Sequence, residues 1–337
     1  MSTMILRPKS PLRRHVTQPG AAPTVAVPSW LRKAVGAAQT VEDAALATGA
    51  AIAMLDTVVR RDEKWAGAWR QRLALAAAAA TARQMGRVED EAALRDSFLL
   101  TRPGDDVGPG GLLLLGWRRL AARPAGELLT KKNLAAVLEE FGFFARDGAA
   151  VSDLADALRR LATTEGAVGM LTGAYAAVEG HGLPRAMGPW LADALLAQRL
   201  GWSHAIPLLG GEAALALGTA RPRRPATGAL AAGAGTEADR AKSLLAAEAH
   251  AALRAIDLSA GLERRADRLL AVAPKLRAKG ANTVVDRLLN DDALGASRGD
   301  KRTGMSDRGL RRLFDRLVEL GAVRELSGRA TFRIYGL

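Results

Sequence analysis

From residue 29 to about residue 217, apolar positions recur at helical spacing and β-branched alternation is nearly absent. Thr40 with Asp43 spells a capping box ahead of a helix carrying Ile52, Leu55 and Val59. Arg60 and Arg61 fall at its C-terminal end, where cations favour the macrodipole. Ser152 is placed to cap a segment with Leu154, Leu158 and Leu161 on one face. Pro189 fits the first turn of a helix over 190–200 that Gly201 can end. The pattern predicts an alanine-rich, multi-helix domain over 29–217.

Residues 218–236, GTARPRRPATGALAAGAGT, interrupt the periodicity with Gly, Pro and Ala, and read as a linker or mobile loop at a domain boundary. Beyond them Thr236 and Asp239 make a second capping box. Ser259 is expected to start a further helix, with Leu262, Ala266, Leu269, Leu270 and Ala273 buried before Pro274. The end of the chain has a different pattern. Thr283 and Asp286 open a helix carrying Val284, Val285, Leu288 and Leu289. Ser306 caps another with Leu310, Leu313, Phe314 and Leu317 on one face, closed by Gly321. Residues 322–326 and 330–335 flank Ser-Gly-Arg as a β-hairpin, with Phe332 and Ile334 alternating against Thr331, Arg333 and Tyr335. The expected fold is therefore mainly α. A helical segment over 237–337 ends in a winged-helix-like module, about 281–337, with one β-hairpin.

Composition narrows the class. The chain of 337 residues is 49% hydrophobic and has no cysteine, which excludes overall disorder, a disulfide framework, thiolate zinc sites and thiol catalysis. No apolar run approaches the roughly 18 residues of a membrane span, so no membrane partner is expected. Residues 1–28 hold Arg7, Lys9, Arg13 and Arg14, no acidic residue and five prolines, and read as a flexible basic tail without a signal core. A soluble cytoplasmic protein is expected. The net charge is +13, an excess that suits a polyanionic partner, although an Arg- and Ala-rich composition is also what a GC-rich genome writes. The location of the charge is more informative than its total. From Lys275 to the end there are 14 Lys/Arg against 8 Asp/Glu.

That segment carries the candidate chemistry. With Leu310, Leu313, Phe314 and Leu317 inward, Arg308 and Arg312 point out and Arg311 and Arg316 flank them, offering guanidinium forks to phosphates or guanine edges. The hairpin adds Arg329 at its tip and Arg333 on its outer face. The stretch 295–304, GASRGDKRTG, is too short and polar for the middle helix of a regular helix-turn-helix, but it supplies Arg298, Lys301 and Arg302 to phosphates. The bland alternative is an Arg-rich solvated face on a module used for protein contacts. Arg264, Arg265 and Arg268, followed by Lys275, Arg277 and Lys279, extend the basic footprint or form an ordinary wet helix face. The loop 102–111, RPGDDVGPGG, has paired Asp105 and Asp106 but no following Lys-Ser/Thr, and reads as a turn leading into a helix over 112–120 rather than a P-loop or metal site. The four histidines show no ligand spacing, no nucleophile–base pair is visible, and no cofactor is expected. All six tryptophans precede residue 218 and read as volume fillers in a core of Ala and Leu, with a Trp-lined pocket as the alternative.

The stretches AGAWRQRLALAAAA, GRVEDEAALRDSFLLTRPGDDVGPGG, WLADALLAQRLGW, AVAPKLRAKGA and RRLFDRLVELGAVRELSGRATFRIYGL resemble the bacterial family called domain of unknown function 1403. The resemblance spans nearly the whole chain beyond the tail. It implies a bacterial cytoplasmic protein and carries no activity, substrate or catalytic residue. The residues themselves point to a non-catalytic regulatory or DNA-maintenance protein that binds double-stranded DNA through its basic C-terminal module. The alternatives are an adaptor whose module docks on a protein partner or a second copy of the chain, and, third, an enzyme with an unrecognised helical active site.

Overall fold

The computed structural model describes residues 25–102, 104–143, 148–212, 237–296, 304–329 and 331–337. The fold is mainly α. Ten helices precede residue 201: α1 (Ser29–Ala37), α2 (Val41–Arg60), α3 (Ala66–Gln84), α4 (Glu91–Leu100), α5 (Gly108–Ala122), α6 (Ala125–Leu128), α7 (Lys131–Glu140), α8 (Gly148–Thr164), α9 (Ala167–Gly180) and α10 (Met187–Leu200). After residue 236 come α11 (Glu237–Val272), α12 (Ala281–Asn290), β1 (Leu294–Gly295), α13 (Asp307–Glu319), β2 (Arg324–Glu325) and β3 (Ile334–Gly336).

Helix α3 is the hub. Its alanines are buried on nearly every side, so α5, α12 and the 3-10 turn Leu209–Glu212 approach its backbone closely. Tryptophans fill the space that small residues leave, and three of the most deeply buried indole N–H groups have acceptors. Trp69 donates to the Ala255 carbonyl at 2.9 Å, Trp117 to Thr81 Oγ1 at 3.0 Å and Trp190 to the Gly116 carbonyl at 3.0 Å. Trp30 departs from the expected filler role, being 60% exposed. Glycines are required where elements nearly touch. A Cβ on Gly210 would lie 2.6 Å from that of Ala77 and strike the Trp117 ring.

Several local signals end up where the spacing puts them. Thr40 and Asp43 form the reciprocal capping box of α2, and Gly201 closes α10 in the left-handed region at φ +65°. Others move. Ser152 lies inside α8, its hydroxyl donating to the Gly148 carbonyl at 3.1 Å, because the helix starts a turn earlier. Helix α12 likewise starts at Ala281, before Thr283. Thr236 lies outside the described residues. Ser259 starts no helix: α11 runs unbroken for 36 residues, about 54 Å, with Ser259 buried midway. No proline interrupts it until Pro274, and its apolar stripe continues from Leu244 through Ile256 to Leu269 against α2, α1 and α9. Residues 213–236 are outside the description, but the helices on either side of them share one apolar core.

The C-terminal part runs α12–β1–α13–β2–β3. Its three short strands form an antiparallel sheet in the order β1-β3-β2, with Leu294 opposite Tyr335 and Arg324 opposite Gly336. The predicted hairpin is present as β2 and β3, and β1 is an addition. Inward Leu310, Leu313, Phe314 and Leu317 seat α13 as expected, under an N-cap in which Ser306 Oγ accepts from Gly309 N at 3.2 Å. The strand alternation is corrected. Tyr335 points in and stacks on Phe314, with centroids 4.4 Å apart and planes 5° from parallel. Phe332 instead sits in the left-handed region at φ +56° and is 55% exposed.

Candidate nucleic-acid interface

The burial of one side of α13 leaves the opposite side to charged residues. Arg308, Arg311 and Arg312 are exposed there and form no ion pair with the described residues. The C-terminal half of the same face is mixed, with Asp315 and an Arg316–Glu319 pair at 3.1 Å. On this face, arginines without an ion pair among the described residues are thus concentrated in the first two turns, which also carry Asp307.

The hairpin arginines are placed differently from the expectation. Arg329 reaches back to the helical body and pairs with Asp96 of α4. Arg333 donates a hydrogen bond to the Tyr335 hydroxyl, which raises the guanidinium pKa, and is 3.9 Å from Asp315. Arg298, Lys301 and Arg302 lie outside the described residues. A groove of about 260 Å³ opens between α13 and the approach to β3, lined by Ala296, Arg311, Asp315, Phe332, Arg333 and Tyr335 among others.

The helix-face arginines of α11 meet the sheet. Arg265 is pushed below its ordinary pKa by burial first and then by the neighbouring charges of Arg324, Arg72, Arg264 and Arg268. It donates to the Leu337 carbonyl at 3.2 Å, and Arg72 reaches the same oxygen at 3.5 Å. Lys275, Arg277 and Lys279 are exposed just beyond.

An ionic anchor that sequence reading missed fastens the basic module to the helical body. Asp292, between α12 and β1, has a completely buried side chain. One carboxylate oxygen accepts from Arg72 Nε and the other from Arg95 Nε at 2.6 Å, while the Asp292 carbonyl accepts from Arg72 at 3.2 Å. Burial pushes the carboxyl up, but Arg72 and Arg95, with Arg118 behind them, override it and hold Asp292 below the ordinary carboxylate range. The Arg118 guanidinium lies 4.2 Å over the Phe98 ring. Gly336 passes so close to this turn that a Cβ there would lie 2.7 Å from the Asp292 carbonyl oxygen. The partners are about 200 residues apart in sequence, so no local motif reveals them.

A second polar cluster is also invisible to spacing. Asp193 of α10 is buried and accepts the backbone N–H groups of Leu208 at 2.8 Å and Leu209 at 3.2 Å. Glu248 of α11 and the Tyr175 hydroxyl of α9 are buried beside it, and neither has a hydrogen-bond partner. Burial raises all three pKa values; Glu248 is pushed up to about 8, and the nearby Glu248 charge adds to the rise at Asp193.

The loop 102–111 carries little chemistry of its own. Asp106 accepts from Gly108 N at 2.8 Å, and Gly110 and Gly111, already within α5, let that helix pack against Leu94 and Ser97 of α4. Among the described residues no group of three or more His, Asp or Glu side chains is placed to hold a metal ion, and no helix is long and apolar enough to cross a membrane.

The class these features define is a mainly helical protein with a small basic helix-and-sheet module fastened to its body. The family profile described as Protein of unknown function (DUF1403) matches residues 16–337, and the chain belongs to that family. No curated protein matches the chain.

Proposed function

We propose that residues 281–337 act as a winged-helix-like module that binds double-stranded DNA, in a regulatory or DNA-maintenance role without catalysis. The observation that carries this reading is the trio Arg308, Arg311 and Arg312 at the start of α13, exposed and without an ion pair among the described residues. Guanidinium groups in that register suit phosphate oxygens, and Arg312 suits a base edge in the major groove. The sheet order β1-β3-β2 behind the helix supports the winged comparison. The cluster of Arg264, Arg265, Arg268 and Arg324 extends the favourable potential across the neighbouring surface. Docking on a protein partner is the second reading. The Arg329–Asp96 pair favours it, because it turns the hairpin tip toward the body instead of a neighbouring backbone.

Fluorescence anisotropy of the full chain with a labelled duplex tests the choice. Binding that weakens at least tenfold when Arg308, Arg311 and Arg312 are together changed to alanine supports the DNA reading. Binding that is absent, or that ignores the triple change, overturns it.

A further inference from the structure

The groove between α13 and β3 is built for something more specific than a phosphate. Its floor is Tyr335, held flat against Phe314 in a parallel stack 4.4 Å apart. One wall is Arg311 and Asp315 from α13, and the other is Thr331, Phe332 and Arg333 from the approach to β3. Phe332 is the anomaly. A phenylalanine at φ +56° is strained, and this one gains little burial in return, since the residue is 55% exposed. Had residue 332 followed the strand alternation, the ring would have turned toward the core beside Ile334. The chain instead keeps a rigid apolar plate at the rim of a cationic groove.

These groups match the parts of an unpaired nucleotide. An exposed aromatic ring offers a stacking face that any base can use. Asp315 can accept from an exocyclic amino group, and Arg311 and Arg333 can take the flanking phosphates. The α13 wall does not resemble an apolar docking groove for a peptide helix, because both of its lining residues are charged. We infer that this groove holds a single unpaired nucleobase stacked on Phe332, so that the module prefers the junction between duplex and single strand to uninterrupted duplex. The inference rests on the DNA reading above and deepens it: α13 holds the duplex, and Phe332 holds the first base beyond it.

The test uses the full chain with two probes of matched duplex sequence, one blunt and one with a single-stranded tail whose first unpaired base is 2-aminopurine. The tailed probe is expected to bind about tenfold more tightly, within the range that one base–aromatic stack supplies, and the 2-aminopurine fluorescence is expected to fall on binding. Phe332→Ala should abolish the preference and the quenching while leaving affinity for blunt duplex intact, and Phe332→Trp should retain both. Circular dichroism melts establish that each variant is folded. Equal affinity for the two probes, or a preference unchanged in Phe332→Ala, overturns the junction inference and leaves duplex binding standing. No binding to either probe overturns the DNA reading itself.

Discussion

Changing Asp292 to alanine should loosen the basic module from the body that carries it. The side chain is completely buried, and its single negative charge is shared by two guanidinium groups, those of Arg72 and Arg95, whose side chains are only 15% and 11% exposed. Removing one partner of a buried ion pair costs about 3–5 kcal/mol, because the remaining charge stays desolvated. Arg72 would keep carbonyl acceptors at Asp292 and Leu337, so the lower end, about 3 kcal/mol, is expected. With an unfolding entropy of about 2.1 cal/mol/K per residue, a chain of 337 residues gains roughly 0.7 kcal/mol/K, and the melting temperature should fall by about 4 °C. Asp292→Asn keeps the shape but also removes the charge and sets an amide donor against a guanidinium donor, so it should cost a similar amount. The sign with pH follows from the depressed pKa: the stabilisation is present above the unfolded carboxylate value of about 3.9 and is lost as pH falls through the folded value. Scanning calorimetry at neutral pH and at a series of values descending from about pH 4 reads both effects, the difference between parent and variant narrowing as pH falls. An alanine variant that melts within about 1 °C of the parent at neutral pH would refute the anchor.

Three further outcomes follow from named contacts. Glu248 is buried without a partner and its pKa is raised to about 8, so its protonated form stabilises the fold below the unfolded value of about 4.3, and that stability is lost as pH rises toward 8. Urea titrations should therefore show wild type losing several kcal/mol between about pH 5 and 9 while Glu248→Gln loses much less; parallel curves would contradict the burial argument. Gly210→Ala should cost about 1–3 kcal/mol, since its methyl group would collide with Trp117 and Ala77, and a neutral thermal shift would show the turn to be more plastic than drawn. Asp96→Asn frees Arg329 for phosphate and should tighten duplex binding several-fold in low salt; unchanged anisotropy would mean the hairpin tip lies off the DNA path.

Local features were the legible ones. The caps at Thr40 and Ser306, the left-handed stops at Gly201 and Gly321, and the inward face of α13 each depend on residues within one or two turns. What the chain hides is decided at long range. A serine at a plausible cap position, Ser259, is absorbed into α11 because the apolar stripe continues on both sides and α2 covers it. Strand β1 is two residues long and has no pattern of its own until β3 pairs with it. The strand alternation failed at Phe332, whose positive φ reverses its side chain, and at Tyr335, which is buried alongside Ile334. The basic site was only half readable. Helical spacing places Arg308, Arg311 and Arg312, whereas the direction of Arg329 depends on Asp96, more than 200 residues earlier. The Asp292 anchor joins four elements and leaves no motif in any of them.

The salt dependence of duplex binding by the full chain tests the central claim most directly. Each phosphate contact contributes about −0.9 to the slope of log K against log salt, so the three arginines of α13 alone supply about −2.7. The account predicts a wild-type slope at least that steep, flattening by about one unit for each of Arg308, Arg311 and Arg312 changed to alanine. A slope that stays the same in the triple variant would contradict it, because the charge gripping DNA would then lie somewhere other than α13.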